Sequence, residues 1–370
     1  MDGFSFLARN TDQQDTVFRR AFDILAQAIE VQAFPACSLA VTHRGALVAH
    51  HARGHFNYDR SSPTVTMETL FDLASTTKVV ATTAMAMVLY ERGLLDLEAP
   101  VTAVVPEFAG RDARRGLVTF HMLLAHTSGL PAYEKLFLRT SNREELLRAA
   151  FAVPLKADPG SRVEYSDIGF IVLGVALERL ADEPIDAFCQ REVFGPLGMS
   201  HTGFNPAQAL RASIPPTADD LNFRHRVIQG EVQDENASVM GGVAGHAGLF
   251  STSLDLARFA HAMLNGGHPI LRANTIAQFT RREPFPEGTS RALGWDTPSA
   301  PSQSGLYFSP ASFGHLGYTG TSLWIDPEQQ LSITLLTNRT WPDCQNQAFK
   351  QVRPGFHDAV VEALRTEKPA

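Results

Sequence analysis

The spacing of apolar residues predicts one helix followed by two strands at the start of the chain. Apolar side chains at positions 17, 21, 24, 25 and 28 fall on one face of a helix with about 3.6 residues per turn. Two β-rich segments then span residues 37–42 and 46–51. Because the intervening His43-Arg44-Gly45 is typical of a hairpin turn, we expect these two strands to pair with each other.

The middle of the chain carries mostly helical patterns, and strand patterns return near its end. One helical pattern covers residues 79–92 and ends at Gly93, and another begins at Phe120 after a Thr119 cap. Further helical patterns cover residues 142–152, 167–180 and 254–264, and Ser253 is the predicted cap of the last one. The later strand patterns cover residues 322–325 and 331–337 around a turn at Asp326-Pro327, and a closing helix is predicted near residues 356–364.

Strands at both ends around a helical middle predict an α/β fold of the α+β type. We expect one antiparallel sheet flanked by helices, formed by residues 1–78 together with residues 290–370. Residues 79–289 would form an inserted, mostly helical domain. An active site is expected at the seam between these two domains, where clefts commonly form.

Composition and charge narrow the classes of function. The 370 residues carry a formal net charge of -7, and no run of basic residues stands out, so we expect no nucleic-acid partner. The N-terminus lacks a basic start and a long apolar stretch, and no segment reaches membrane-spanning length. We therefore expect a cytoplasmic protein with no membrane partner; the sequence leaves its oligomeric state open.

Three cysteines, Cys37, Cys189 and Cys344, are odd in number and far apart along the chain. This spacing does not suit a disulfide framework or a zinc site, so each is predicted to be a small buried hydrophobic residue. The chain also lacks the H-E-x-x-H, G-x-S-x-G and phosphate-binding P-loop motifs. We expect no metal and no other cofactor.

Lys78 is one of only five lysines, and it follows Ser75 by three residues in Ala74-Ser75-Thr76-Thr77-Lys78. On a helix these two side chains share a face, with β-carbons about 5–6 Å apart. Because a lysine can lose its proton when it is desolvated, Lys78 is a candidate base for the Ser75 hydroxyl. The alternative is a helix cap followed by a surface lysine. The apolar residues from Val79 to Ala81 favour a buried pair.

A second candidate, Tyr165, precedes a predicted helix in Glu164-Tyr165-Ser166-Asp167. A tyrosine beside a lysine and a serine can relay protons, because an ammonium group stabilises the phenolate. The segment alone is also explained if Ser166 or Asp167 is the helix cap.

A third candidate segment is Phe313-Gly314-His315-Leu316-Gly317-Tyr318-Thr319-Gly320-Thr321, just before a predicted strand. Its three glycines would let the backbone approach a ligand closely, and an N–H group there could stabilise an oxyanion together with the N–H of Ser75. A bulge or a sharp bend is the alternative role for these glycines.

Together these segments resemble the serine β-lactamase and penicillin-binding protein superfamily, whose markers are S-x-x-K, Y-x-N and K-T-G. The resemblance spans roughly residues 34–338 and is greatest to the class C, esterase-type branch. Within that branch, residues 230–237 and 241–248 resemble the subgroup that contains cell-wall-recycling amidases. The matching segments are residues 69–78, 123–131, 165–167 and 248–252, besides the glycine-rich segment.

The resemblance implies roles for several of these residues. Ser75 would be the acylated nucleophile, Lys78 its base or proton partner, and Tyr165 the proton shuttle to the leaving group. The N–H groups of Ser75 and Tyr318 would hold the oxyanion.

The chain departs from the family pattern at two positions. Asp167 stands where the family commonly has Asn, and a carboxylate there would keep Lys78 protonated and make Tyr165 the more important base. His315-Leu316-Gly317 replaces Lys-Thr-Gly, so a fixed cation gives way to an imidazole that is mostly neutral at pH 7. We therefore expect amide or ester substrates that do not depend on a carboxylate contact at this position.

Two further histidines are considered. His126 follows a helix and is expected to hydrogen-bond a turn, whereas His246, among glycines, is a candidate for lining the site.

The resulting expectation is a serine hydrolase that acts on small amides or esters, with a muropeptide-type amide as the favoured substrate. The alternatives are a carboxylesterase with weak β-lactamase activity and a non-catalytic sensor of cell-wall fragments, since fold alone does not fix function.

Overall fold

The structure is a computed structural model and describes residues 7–366. The described strands are β1 Ala8–Arg9, β2 Ala36–His43, β3 Ala46–Gly54, β4 Phe71–Asp72, β5 Gly203–Phe204, β6 Pro216–Asp220, β7 Arg226–Gln229, β8 Leu249–Ser251, β9 Phe313–Leu316, β10 Ser322–Asp326 and β11 Leu331–Thr337. The described α-helices are α1 Gln14–Val17, α2 Arg19–Glu30, α3 Ala84–Glu91, α4 Phe120–Leu124, α5 Arg143–Ala152, α6 Asp167–Ala181, α7 Ile185–Cys189, α8 Gln208–Arg211, α9 Glu235–Val239, α10 Ser253–Leu264, α11 Ala273–Thr280 and α12 Phe349–Thr366.

Short segments of other helix types connect these elements. The 3-10 segments are Ala74–Thr76, Val101–Ala103, Pro106–Phe108, Ala113–Leu117 and Leu136–Leu138, and the π-helical segments are Lys78–Thr83 and Gln190–Phe194.

The main sheet contains six strands in the order β1-β3-β2-β11-β10-β9. Strands from the two ends of the chain meet at its centre, where β2 and β11 pair antiparallel from Cys37 opposite Thr337 to His43 opposite Leu331. The pairs β2–β3, β10–β11 and β9–β10 are also antiparallel, whereas the short β1 pairs parallel with β3. The predicted hairpin and the predicted antiparallel sheet are therefore confirmed.

Helices cover both faces of this sheet. On one face, α2 and α12 bury apolar side chains such as Leu25 and Val360 against sheet residues such as Leu39 and Ile333. On the other face, α10 packs through Ala257. Since both faces are covered, nearly every residue of β2 and β11 is buried, including polar residues such as Ser38 and Thr334.

A larger, mostly helical core lies beside the sheet and is centred on α3 and α6. The mixed α/β architecture expected from the sequence is confirmed, while the domain boundaries at 78/79 and 289/290 remain a prediction. The helical region also contains two small sheets, ordered β4-β8-β5 and β6-β7, which the sequence did not predict. Their strands are two to five residues long, too short to show a clear alternating pattern.

Several predicted element boundaries were wrong. The helix expected over residues 79–92 is π-helical over Lys78–Thr83 and α-helical only over Ala84–Glu91. The cap of α10 is Thr252 rather than Ser253, because the Thr252 side chain accepts the hydrogen bond from the Asp255 N–H. The closing helix begins at Phe349 rather than 356 and contains Pro354.

The cysteine prediction holds for two residues of three. The thiols are free, and Cys37 and Cys189 are buried, but Cys344 is partly exposed beside the cleft described below. Within residues 7–366, no helix combines the length and the apolar character needed to cross a lipid bilayer. The first six residues of the N-terminus, on which the cytoplasmic expectation partly rests, lie outside the described range.

Candidate active site

Ser75 lies on a tight turn that the sequence pattern did not predict. It occupies the 3-10 segment Ala74–Thr76, between β4 and the π-helical segment. Ala74 adopts a positive φ of 45°, which costs a non-glycine residue about 1–3 kcal/mol. The buried Asp72 carboxylate supports the turn by accepting the Ala74 N–H at 2.8 Å and the Gln233 N–H at 2.6 Å. A strained conformation held in this way is typical of functional sites.

Lys78 is completely buried beneath Ser75, with an exposed fraction of 0%. Its Nζ donates to Ser75 Oγ at 3.0 Å, to Asp167 Oδ1 at 2.6 Å and to the backbone oxygen of His246 at 3.0 Å. An ammonium group has three N–H donors, so each one has an acceptor here. Burial lowers the pKa of Lys78, but Asp167 and Tyr165 outweigh burial, and the pKa is raised. Lys78 is therefore a protonated ammonium at neutral pH.

Tyr165 stands directly before the Ser166 cap of α6 and faces the same pair. Its ring centroid is 4.9 Å from Lys78 Nζ. Burial raises the pKa of Tyr165 more than the Lys78 charge lowers it, and Asp167 raises it further. The Ser166 side chain accepts the Gly169 N–H at 2.9 Å. Ser166 therefore caps α6 while Tyr165 lies at the site, although the sequence analysis treated these two interpretations of the segment as alternatives.

The two histidines outside the third segment have different surroundings. His126 is buried, and its Nδ1 accepts the N–H of Ser166, the cap residue of α6, at 3.0 Å, so this contact is to a helix cap rather than to the expected turn. His246 holds Lys78 through its backbone oxygen, and its ring Nε2–H donates to Asp234 Oδ1 at 2.8 Å. His246 lines the cleft as the sequence suggested.

The glycine-rich segment forms β9 and the turn after it. His315 is buried, and its Nδ1 bonds the Leu316 backbone oxygen at 2.8 Å. Burial, then the charges of Lys78 and Arg291, hold the pKa of His315 well below its usual range, so the ring is neutral at pH 7. The chemistry at this position therefore agrees with the expected loss of a fixed cation.

The glycines of this segment serve protein packing, while their role in admitting a ligand stays a prediction. A Cβ at Gly317 would lie 2.3 Å from the Leu73 backbone oxygen, and one at Gly314 would lie 2.5 Å from the Leu323 backbone oxygen. Thr321 Oγ1 also donates to the Leu73 oxygen at 2.8 Å. Gly317 thereby lets the end of β9 abut the turn that carries Ser75, and the half-exposed Tyr318 follows it into the cleft.

The cleft extends from Ser75, Tyr165 and Tyr318 in two directions. We call one direction the arginine arm; it has a volume of about 460 Å³, and its charged lining residues are Arg291, Asp296, Arg339, Lys350 and Arg353. We call the other the aromatic arm; it has a volume of about 720 Å³, and its lining includes Tyr133, Lys135, Phe137, Phe223, Asp234 and His246.

The arginine arm was missed by the sequence analysis. Its cations come from three separate places: Arg291 from the loop before β9, Arg339 from just after β11, and Lys350 and Arg353 from α12. No local motif connects these positions, so only the folded chain brings them together.

Comparisons with known proteins agree with this geometry. The Beta-lactamase family model matches residues 21–352. A relative from Salmonella agona (strain SL483) is 33% identical over 351 residues, covers 83% of this chain and 79% of the relative, and is named "Putative D-alanyl-D-alanine carboxypeptidase". A Salmonella typhi relative with the same name has the same identity and coverage.

Solved structures share the fold. EstCE1, described as a hydrolase with promiscuous acyltransferase activity, has a TM-score of 0.77 at 22% identity and covers 94% of this chain and 99% of its own. The octameric penicillin-binding protein homologue from Pyrococcus abyssi has a TM-score of 0.71 at 22% identity, with 90% of this chain and 76% of its own covered.

Proposed function

The chain belongs to the beta-lactamase family and is a serine hydrolase, and on this basis we propose that it forms an acyl-enzyme on Ser75 and hydrolyses small amides or esters. The observation that carries the proposal is the 3.0 Å contact from the buried Lys78 Nζ to Ser75 Oγ at the floor of an open cleft. A buried lysine directed at a serine hydroxyl is the arrangement of an activated nucleophile.

In the proposed reaction, the phenolate form of Tyr165, a minor form at neutral pH because burial raises the Tyr165 pKa, accepts the Ser75 proton while Ser75 Oγ bonds to the substrate carbonyl carbon. The carbon–nitrogen or carbon–oxygen bond of the leaving group then breaks, and Tyr165 returns the proton to that group. Water repeats the same steps to release the acid product. Lys78 remains an ammonium throughout, because its three N–H groups all have acceptors and Asp167 raises its pKa.

Two further roles belong to the proposal. The N–H groups of Ser75 and Tyr318 would stabilise the oxyanion, as the family resemblance implies. The name of the curated relatives favours an amide at the carboxyl end of a peptide, consistent with a muropeptide-type substrate.

The test is covalent labelling of Ser75 followed by turnover measurements. After treatment with a fluorophosphonate, intact mass and peptide mapping should place one adduct on Ser75. The Ser75→Ala variant should lose labelling and lose roughly 10⁴-fold or more in hydrolysis. Ser61→Ala, which changes an exposed serine, is the control and should label at the wild-type rate.

Substrate panels separate this proposal from its alternatives. Release of D-alanine from an acetylated peptide ending in D-Ala-D-Ala would support the amide class. Cleavage of esters alone would indicate a carboxylesterase, and stable labelling with no turnover on any substrate would indicate a sensor. Labelling of Ser75→Ala at the wild-type rate would overturn the assignment of the nucleophile.

A further inference from the structure

The side chains of two short segments take no part in the proposed reaction, although they lie close to its centre. Gln233-Asp234-Glu235 leads into α9, and Gly245-His246 lies between α9 and β8. Both belong to the stretches, residues 230–237 and 241–248, that resemble the cell-wall-recycling subgroup. In the fold the two segments are hydrogen-bonded to each other, and one of them contacts Lys78.

The backbone oxygen of His246 is the third acceptor of the Lys78 ammonium, at 3.0 Å from Nζ. The other two acceptors are Ser75 Oγ and Asp167 Oδ1. If the His246 oxygen moved, one N–H would be buried without an acceptor, at a cost of about 1–3 kcal/mol, unless Nζ turned towards another acceptor. The direction of Nζ towards Ser75 therefore depends on where the His246 oxygen lies.

Asp234 holds the His246 side chain in place. The imidazole is 1% exposed, and its Nε2–H donates to Asp234 Oδ1 at 2.8 Å. The same oxygen accepts the Ala237 N–H at 2.7 Å, so the carboxylate is fixed at the start of α9. Burial raises the pKa of Asp234, but the interactions with His246 and Ala237 outweigh burial, and the pKa is lowered. The imidazole is thus anchored by an ionised carboxylate.

A carboxylate partner distinguishes His246 from other buried histidines of the chain. Within residues 7–366, three further buried histidines form hydrogen bonds with backbone groups instead. They are His126, His315 and His357. Placing a carboxylate against a buried imidazole withdraws both groups from water, which costs free energy. Packing alone does not require this expense at His246, so the pair calls for a functional reason.

Gln233, the residue before Asp234, supports the tight turn of the nucleophile. Its N–H donates to Asp72 Oδ2 at 2.6 Å, and the other oxygen of that carboxylate accepts the Ala74 N–H at 2.8 Å. One segment of the chain is therefore bound both to the nucleophile turn and, through His246, to the lysine. This shared attachment suits a segment that fixes the two catalytic groups relative to each other.

We propose that Asp234 and His246 are positioning residues for the catalytic lysine. Their hydrogen bond fixes the His246 backbone oxygen as the third acceptor of Lys78, which keeps Nζ directed at Ser75 Oγ. Neither side chain touches the reacting atoms, and no proton passes between them. The inference rests on the proposed function, because it takes Ser75 as the acylated residue.

The experiment removes the hydrogen bond from either side and measures hydrolysis of 4-nitrophenyl butyrate. His246→Leu removes the donor, and Asp234→Ser shortens the acceptor but keeps a hydroxyl that caps α9. In each variant we expect kcat to fall about tenfold or more and KM to stay within about threefold, since a misdirected lysine affects the transition state rather than substrate binding. The rate at which a fluorophosphonate labels Ser75 should fall by a similar factor.

A rescue variant and a double variant separate positioning from packing. In His246→Gln the amide nitrogen reaches the place of Nε2 and donates to Asp234, so kcat should stay within about threefold of the wild-type value. The double variant His246→Leu/Asp234→Ser should lose no more than the larger single loss, because both changes remove the same hydrogen bond.

The matched control is His357→Leu, the same change at a buried histidine outside the cleft lining. Its Nδ1 bonds the Ser304 backbone oxygen at 3.1 Å. Losing this contact should lower the melting temperature, while kcat should stay within about twofold of the wild-type value. Thermal melting of every variant checks that it is folded.

The outcomes separate this inference from the proposed function. Wild-type kcat in folded His246→Leu would overturn the positioning role, as would equal losses in His246→Gln and His246→Leu or additive losses in the double variant. If His246→Leu does not fold, Asp234→Ser decides, and an unchanged kcat there would have the same meaning. Failure of the proposed function would appear differently, as labelling of Ser75→Ala at the wild-type rate.

Discussion

Two buried cations lie in one cleft with opposite surroundings. Lys78, beneath Ser75, places each of its three N–H donors on an acceptor, one of them the carboxylate of Asp167. Arg353, in the arginine arm, has one neutral acceptor and a buried Nε–H without any. The protein thus compensates the charge of Lys78 with a carboxylate and two further acceptors, whereas it holds Arg353 mainly by packing against the Phe349 ring, 4.4 Å from the guanidinium.

This contrast implies different tolerances to the same kind of exchange. The Lys78 position is shaped around a small ammonium and requires three donors in fixed directions. The Arg353 side chain is 4% exposed, and the Phe349 ring and one neutral acceptor hold it in place of a counter-ion. Exchanging lysine and arginine at the two positions tests the contrast directly, because both exchanges preserve net charge.

The largest effect is expected for Lys78→Arg. A guanidinium is larger than an ammonium in a site with no exposure, and it would displace Tyr165 or Asp167 from Ser75. We expect kcat/KM to fall on the order of 10²-fold or more in ester hydrolysis. Lys156→Arg, the same change at an exposed position, is the control. A folded Lys78→Arg variant with most of its activity would show that the site needs only a charge.

An intermediate effect is expected for Asp167→Asn, which places the residue common in the family at this position. The Asp167 carboxylate raises the pKa of Lys78 and of Tyr165. Removing it lowers both, and a base acts in its deprotonated form, so the acidic limb of the kcat/KM profile should move to lower pH. Activity at pH 6 should rise relative to its plateau by roughly threefold to tenfold.

The control for this profile is Asp158→Asn, at a well-exposed carboxylate outside the cleft lining. Its acidic limb should coincide with that of the wild-type protein. The acidic limb of the kcat/KM profile of Asp167→Asn could instead stay in place or move to higher pH. Either result would show that neither Lys78 nor Tyr165 sets the rate through loss of a proton.

The sequence could predict the parts of the site that local spacing determines. Ser75 and Lys78 are three residues apart, and Tyr165 precedes a capped helix, so patterns within single segments were enough to find them. The antiparallel sheet was predicted from β-rich segments at both ends of the chain and from a hairpin turn. Such features can be predicted from the sequence because the residues that interact are close together along the chain.

The rest depends on contacts between distant segments. The π-helical turns after Lys78 have the same apolar pattern as an α-helix, so the sequence could not distinguish them. Gly317 is required for packing because it abuts Leu73, which lies 244 residues earlier in the chain. The arginine arm joins a loop, a strand end and α12, and no single segment reveals that its cations share a cleft.

The smallest effect is expected for Arg353→Lys, the reverse of the exchange at Lys78. An ammonium retains the charge but loses the planar group that stacks on the Phe349 ring 4.4 Å away, so the loss should fall on stability rather than on the chemistry at Ser75. We expect the free energy of unfolding to fall by about 1 kcal/mol and kcat/KM in ester hydrolysis to stay within about twofold of the wild-type value. Urea unfolding and ester kinetics measure these two quantities. If Arg353→Lys lost as much activity as Lys78→Arg, the two cations of the cleft would be equally intolerant of exchange.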